Sequence, residues 1–353
     1  MRDFSMNDII RDVYNLKHTL RFNKDGRFRI LTMSDTQETS DFNPLTLELM
    51  EDILDEAKPD LVLFGGDNCQ GGADGKNDES MKKFLDTFTG PIEKRKIPWA
   101  HVFGNHDHEN APEISDILKH QKMYEAYPMC VSKHTEDAKT HVTNFVLPIL
   151  ASESDEIKYT VWGLDTGRSM ADFNEYSVHG DLFFEAVLPK NPLRISGWGS
   201  HRFEQLMWYW NYSKAIEDHA GKKVPGMLIQ HQMPAEFAMA SANREKCSFA
   251  GSLHEEGSSD GLNSGLFIEL LQRQDIKLIV AGHQHNNDAI AEYCGITMCY
   301  DACSGLTQYG HPDTRGGRVI DIDESCPEKI NTFMIHHKDI LARKKCEFNE
   351  KTN

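Results

Sequence analysis

One pattern recurs along this chain and restricts its fold more than any other feature. A short apolar run is followed by one or two small or polar residues and then by a side chain able to hold a metal ion. Residues 28–33 lead to Ser34, Asp35 and Gln37; 61–64 lead to Gly65, Gly66 and Asp67; 98–103 lead to Gly104, Asn105 and His106. Residues 227–230 lead to His231, and 277–281 lead to Gly282, His283 and His285. Short apolar runs bounded by turn residues predict buried strands. Any one of these is an ordinary strand entering a turn. Together they predict a single site, because ligand sites in sheets with parallel strands collect at the strands' carboxyl ends.

The segments between these runs support a parallel arrangement. Asn43-Pro44 predicts a helix N-cap followed by Pro in the first turn. Leu45, Leu49, Ile53 and Ala57, with Met50 and Leu54, give that helix an apolar stripe, and Lys58-Pro59 ends it before the next strand. Strand–helix–strand units of this kind build α/β folds. Further helices are expected over 79–95, 111–127, 201–219 (Phe203, Leu206, Met207, Trp210 and Ile216 inward) and 266–272. Further strands are expected over 145–150 (an edge strand), 159–163, 296–300, 318–322 and 332–336. Residues 1–26 form an amphipathic lead-in, 130–158 are otherwise polar and irregular, 241–265 are a long surface loop, and the last fifteen residues are charged and frayed. With no repeat and no linker, one domain over 1–353 is expected, its core at about 28–322.

A net charge of −17 disfavours duplex nucleic acid and anionic membranes as partners. An acidic protein can still take a phosphate ester where metal ions supply local positive charge. The eight cysteines form no Cys-x-x-Cys pair and are expected as reduced thiols. The charged N-terminus lacks a signal-peptide core, no apolar run reaches membrane-spanning length, and a cytoplasmic location is expected. Oligomeric state is left open.

Carboxylate, amide and imidazole donors suit divalent Mn, Zn or Fe better than thiophilic ions. A carboxylate such as Asp67 can bridge two ions about 3.5–4 Å apart, the spacing of two-metal hydrolytic sites. His106 need not be a ligand; beside Asp107 it can protonate a leaving alkoxide or stabilise the transition state.

The ordered series Asp-x-Gln, Gly-Gly-Asp-Asn, Gly-Asn-His-Asp, a lone His and Gly-His-x-His resembles the calcineurin-like metallophosphoesterase superfamily, over nearly the whole of 28–322. Local matches at 20–23, 97–100, 230–234 and 263–267 are most similar to its purple-acid-phosphatase-like intracellular branch. The resemblance implies a four-layer α/β/β/α sandwich of two mixed sheets with flanking helices. It implies one ion held by Asp35, Gln37, Asp67 and His285, and a second held by Asp67, Asn105, His231 and His283. It implies a phosphoric ester hydrolase in which a metal-bound hydroxide attacks phosphorus. Its substrates would be small-molecule or phosphoprotein esters, monoesters first and diesters second. His106 would be the proton donor or phosphate-orienting group. Apart from the resemblance, Asn105 and His106 at the strand end and His254 in the long loop are candidate substrate contacts, and Asp107 beside His106 is a candidate catalytic partner. Two departures stand out. The family commonly has His where this chain has Gln37, and purple acid phosphatases carry Tyr where this chain has Gln70, so no tyrosinate colour is expected. The alternative is a weak or inactive family member that binds phosphate or a partner.

Other candidates carry less signal. Asp165 ends the 159–163 strand, Trp198 sits between Gly197 and Gly199, and Glu255 and Glu256 adjoin His254. Cys294, Cys299 and Cys303 cluster in sequence. His101, His108, His311, His336 and His337 are expected in turns or on the surface.

Overall fold

A computed structural model describes residues 5–72, 77–111, 114–134, 141–168, 198–255 and 263–352. In chain order its strands are β1 (Leu20–Arg21), β2 (Arg27–Met33), β3 (Leu61–Phe64), β4 (Trp99–His101), β5 (Phe145–Leu150) and β6 (Ile157–Gly163). They continue with β7 (Gly226–Gln230), β8 (Ile276–Ala281), β9 (Ile290–Tyr293), β10 (Ile296–Tyr300), β11 (Gly316–Asp323) and β12 (Asn331–His336).

These strands form two mixed sheets. One has the order β12-β11-β2-β3-β4, the other β1-β5-β6-β7-β8-β10-β9. In the first, β2, β3 and β4 run parallel while β11 and β12 run antiparallel. In the second, β6, β7, β8 and β10 run parallel. The register aligns Met33 with Phe64, Phe64 with His101, and Gln230 with Ala281. Each sheet therefore delivers its polar strand ends in line.

Strand alternation puts side chains on both faces of each sheet, and three apolar layers result. Ile30, Leu61, Leu63 and Val102 of one sheet meet Leu147, Tyr159, Ile229 and Val280 of the other. The outer face of the five-stranded sheet buries Leu31, Val62, Phe64 and Trp99 against the helices Pro44–Ala57, Asp78–Arg95 and Ile114–Glu125. The outer face of the seven-stranded sheet buries Trp162, Leu228 and Ile279 against Met6–Tyr14, Phe203–Ala220 and Leu266–Arg273. The layers are thus α/β/β/α. Phe64 packs on Phe88 with ring centroids 4.4 Å apart, and both are fully buried.

Local chemistry sets the helix ends. Oδ1 of Asn43 accepts from the Leu45 amide at 3.0 Å, and Pro44 opens the helix that Lys58 closes in the left-handed region. The same cap and closure recur at Asn77 and Lys96.

Several expectations are corrected. The strand at 145–150 is not an edge, because the two-residue β1 pairs with it. Phe203 and Trp210 are not inward: they are 71% and 37% exposed. Part of the 241–265 loop is ordered, since the helix Glu236–Ala242 reaches into it and Ala250 bridges to Ile290. The C-terminal residues form the helix His337–Thr352. The helix expected over 111–127 is Ile114–Glu125, and a separate short helix, Asn105–Asn110, precedes it. Among the described residues no helix is long and apolar enough to cross a membrane.

Candidate metal centre

The turns after the strands are conformationally demanding. Asp35, Gln37, Asp67 and His283 all adopt positive φ, at 53°, 41°, 49° and 68°. Each costs an L-residue roughly 1–2 kcal/mol, a strain that clusters at functional sites. Main-chain hydrogen bonds hold the first two turns together, from Asp35 N to Gly66 O (3.0 Å) and from Gln37 N to Asp67 O (2.9 Å). The glycines make room. Gly66 has φ +94°, and a Cβ there would meet Nδ1 of His231 at 2.7 Å. A Cβ on Gly104 would overlap Oδ1 of Asp67.

Around Asp67 two half-sites converge. On one side, Nε2 of Gln37 donates to Oδ2 of Asp67 at 3.0 Å. Asp35 and His285 complete that side, with His285 Nε2 3.3 Å from Asp35 Oδ1. On the other side, Nε2 of His231 lies 3.2 Å from Asp67 Oδ2 and 3.1 Å from Asn105 Oδ1. Nδ1 of His283 lies 3.3 Å from that same His231 nitrogen. Candidate ligand atoms of Asp67, His231 and His283 all fall within 4.8 Å of one another. Of the predicted ligands, all seven are buried. The structure brings these seven side chains to the same strand-end turns around Asp67.

The imidazoles are tautomer-locked in the manner of metal-ligating histidines. Nδ1 of His231 donates to the Gly65 carbonyl at 2.9 Å, and Nδ1 of His285 donates to the Tyr309 carbonyl at 2.8 Å. Both Nε2 atoms are left to face carboxylates. Oδ1 of Asp35 is buried and meets Nε2 of His285 at 3.3 Å, and Nδ2 of Asn105 is buried with no hydrogen-bond partner among the described residues. Buried carboxylate oxygen facing imidazole nitrogen is the donor chemistry a divalent ion takes, so the residues fit the group.

Charge is finely divided here. Burial opposes protonation of His285, but the Asp35 carboxylate outweighs it and pushes the ring up to about 12. Burial likewise opposes protonation of His231, yet Asp67 pushes it up to about 9. His283, buried and beside the His231 charge, is pushed down to about 3. Burial would raise Asp67, but His231 holds it well below the usual carboxylate range. The protons on His231 and His285 are those a dication displaces on binding.

A model of the family described as calcineurin-like phosphoesterase matches residues 28–287. The chain belongs to that family. It is 28% identical over 333 residues to "Probable inactive purple acid phosphatase 14" of Arabidopsis thaliana, across 83% of this chain and 74% of the relative. It is 24% identical over 297 residues to Phosphatase DCR2 of Saccharomyces cerevisiae, across 76% of this chain and 45% of the relative. The fold is shared with a dimetal phosphatase from Danio rerio at TM-score 0.53 and 15% identity, over 87% of this chain and 98% of that one.

In this member of the calcineurin-like phosphoesterase family the remaining predicted residues take different places. Asp107 turns into the main chain: its carboxylate accepts from the amides of Gly104 (2.9 Å), Cys69 (3.0 Å) and Asn68 (3.2 Å). It braces the turns that carry Asp67 and Asn105. His106 donates its backbone amide to Asp67 Oδ1 at 2.8 Å, and its ring pairs with Glu109, a residue the sequence reading missed. The signal was available as an i,i+3 spacing, once 105–110 is known to be helical. Asp165 is fully buried, 3.0 Å from His108 Nε2. His108 and His101 are buried rather than surface residues. Trp198 stands edge-on to the His283 ring at 4.7 Å. His254 is exposed and stacks on His311 at 3.9 Å. Cys294 is exposed while Cys299 and Cys303 are buried, and among the described residues they form no metal-holding group. Glu256 and Gly197 lie outside the described residues.

Proposed function

We propose that this chain is a divalent-metal-dependent phosphoesterase, acting first on phosphomonoesters and second on phosphodiesters. The observation that carries this reading is the seat of Asp67: one buried carboxylate between Gln37 at 3.0 Å and His231 at 3.2 Å, with further donors beyond each. Asp35, Gln37, Asp67 and His285 would hold one ion, and Asp67, Asn105, His231 and His283 a second. Bound there, such ions would lower the pKa of water and neutralise charge on a phosphoryl group. Mn, Zn and Fe suit the donor set.

This chain's own side chains supply the rest. Asp67 fixes the spacing of the two half-sites. Asn105 presents its amide beside the phosphoryl position. His106, partly exposed, meets the leaving oxygen; burial opposes its charge, but Asp67 and Glu109 raise its pKa above the usual histidine value. Asp107 acts through the backbone it braces, not on the substrate. Trp198 and His254 are assigned to the substrate rim. Small-molecule or phosphoprotein esters are the substrates, and the cytoplasm, where free thiols stay reduced, is the compartment.

A second reading is a weakly active or inactive protein that binds phosphate or a partner. Gln37 favours it, since its amide donates to Asp67 instead of offering oxygen. Assays with p-nitrophenyl phosphate and bis-p-nitrophenyl phosphate across Mn, Zn, Fe and Mg separate the two. Metal-dependent turnover supports the enzyme; no turnover of either ester, with one ion or none bound, supports the second reading.

A further inference from the structure

We propose that Glu109 is a positioning residue for His106, fixing the imidazole so that Nε2, not Nδ1, faces the substrate. The kinetic part of this inference rests on the phosphoesterase reading; the geometric part does not.

Oε2 of Glu109 lies 2.8 Å from Nδ1 of His106, across one turn of the helix Asn105–Asn110. An ionised carboxylate only accepts, so Nδ1 carries the donated proton and Nε2 remains as the ring nitrogen for a ligand. Asn105 and Asp107 on either side are buried, whereas the His106 side chain keeps 37% exposure. Of the three, its ring is the one open to an incoming molecule. Asp107 is the neighbour that sequence suggests as its partner, but that carboxylate is occupied by the amides of Gly104, Cys69 and Asn68.

The pair sits in a built socket. A Cβ on Gly71 would overlap Oε2 of Glu109 and lie 2.7 Å from Nδ1 of His106, so an alanine there would push the Glu109 carboxylate off the ring nitrogen. Nδ2 of Asn110 ties this turn to the helix, donating to the Gln70 carbonyl at 2.9 Å and to the His106 carbonyl at 3.3 Å. Residues 70 and 71, the helix and the carboxylate therefore hold one ring orientation. Without Glu109 the imidazole can rotate about its Cβ–Cγ bond and present either nitrogen.

The test uses the full chain loaded with Mn and compares Glu109→Ala, Glu109→Gln and Gly71→Ala. Partners that orient metal-ligating histidines contribute about 10–100-fold, and a comparable factor is expected for His106. Glu109→Ala is expected to lower kcat on p-nitrophenyl phosphate by about that factor, with KM within about twofold. Glu109→Gln retains an amide oxygen able to accept from Nδ1 and should recover most of the rate. Gly71→Ala should reproduce the Glu109→Ala loss by displacing the carboxylate, with both partners still in the sequence. Ring 15N shifts, with the His106 signal assigned from its loss in His106→Gln, give the tautomer without turnover. The neutral ring should be Nδ1–H in the native chain and mixed in Glu109→Ala. Unchanged kcat in Glu109→Ala, or an Nε2–H ring in the native chain, overturns the proposal. A native chain without turnover but with an Nδ1–H ring overturns the phosphoesterase reading and leaves the Glu109 assignment standing.

Discussion

The side-chain nitrogen of Gln37 lies 3.0 Å from Oδ2 of Asp67. The residue expected as a ligand of one half-site thus donates to the carboxylate that both half-sites share. A neutral donor there stabilises the Asp67 charge in place of a cation. Gln37→His replaces that donor with an imidazole, a better ligand for borderline ions. Calorimetric Zn titration should show the weaker of two binding events tightening by roughly tenfold or more, about 1.4 kcal/mol. An unchanged isotherm would mean that position 37 does not limit the site.

Gly104 is the second position where backbone and ligand compete. Any Cβ there overlaps Oδ1 of Asp67, so Gly104→Ala must displace the carboxylate or the turn. Forced overpacking in a buried site costs about 1–3 kcal/mol. Urea unfolding should report a loss in that range, and metal analysis should find fewer ions per chain than in the native protein.

The apolar layer behind the centre has its own test. Phe64 precedes the Gly65-Gly66-Asp67 turn and is fully buried against Phe88 and Trp99. Phe64→Ala should cost about 3–5 kcal/mol by urea unfolding. A cost below about 1 kcal/mol would mean that the layer collapses around the cavity.

Glu269, on the helix Leu266–Arg273, gives a pH signature away from the metal centre. Burial, with Asp275 adding, pushes its carboxyl up to about 7, and Oε2 has no hydrogen-bond partner among the described residues. The folded chain therefore keeps a proton that the unfolded chain releases near pH ~4.3. Stability is lost as pH rises from about 4 to about 7, and Glu269→Gln removes that loss. Because the group is partly exposed, the expected gain at about pH 8 is discounted to roughly 1–2 kcal/mol, with none at about pH 4. Urea unfolding of both proteins at the two pH values checks it.

Much of this was legible from residue order. Short apolar runs ending in Asp35, Asp67, Asn105, His231 and His283 marked strands that the fold aligns, because parallel pairing puts their ends side by side. What stayed hidden depends on backbone geometry and on contacts distant in sequence. The left-handed φ of Asp35, Gln37, Asp67 and His283 leaves no trace in an ordinary polar turn. Asp107 looked like the partner of His106 because the two are adjacent, yet adjacent residues on a helix point apart, and Glu109 one turn on takes that place. Phe203 and Trp210 looked inward from periodicity, but the helix turns that edge away from the sheet. The two-residue β1 was too short to register as a strand, so β5 looked like an edge.

The central claim is that Asp67 joins two ions in one centre. Anomalous diffraction from a crystal equilibrated with Mn or Zn tests it most directly. Two peaks about 3.5–4 Å apart, one on each side of the Asp67 carboxylate, are the predicted result. A single peak beside His231 and His283, or peaks that leave Asp67 uncoordinated, would contradict it.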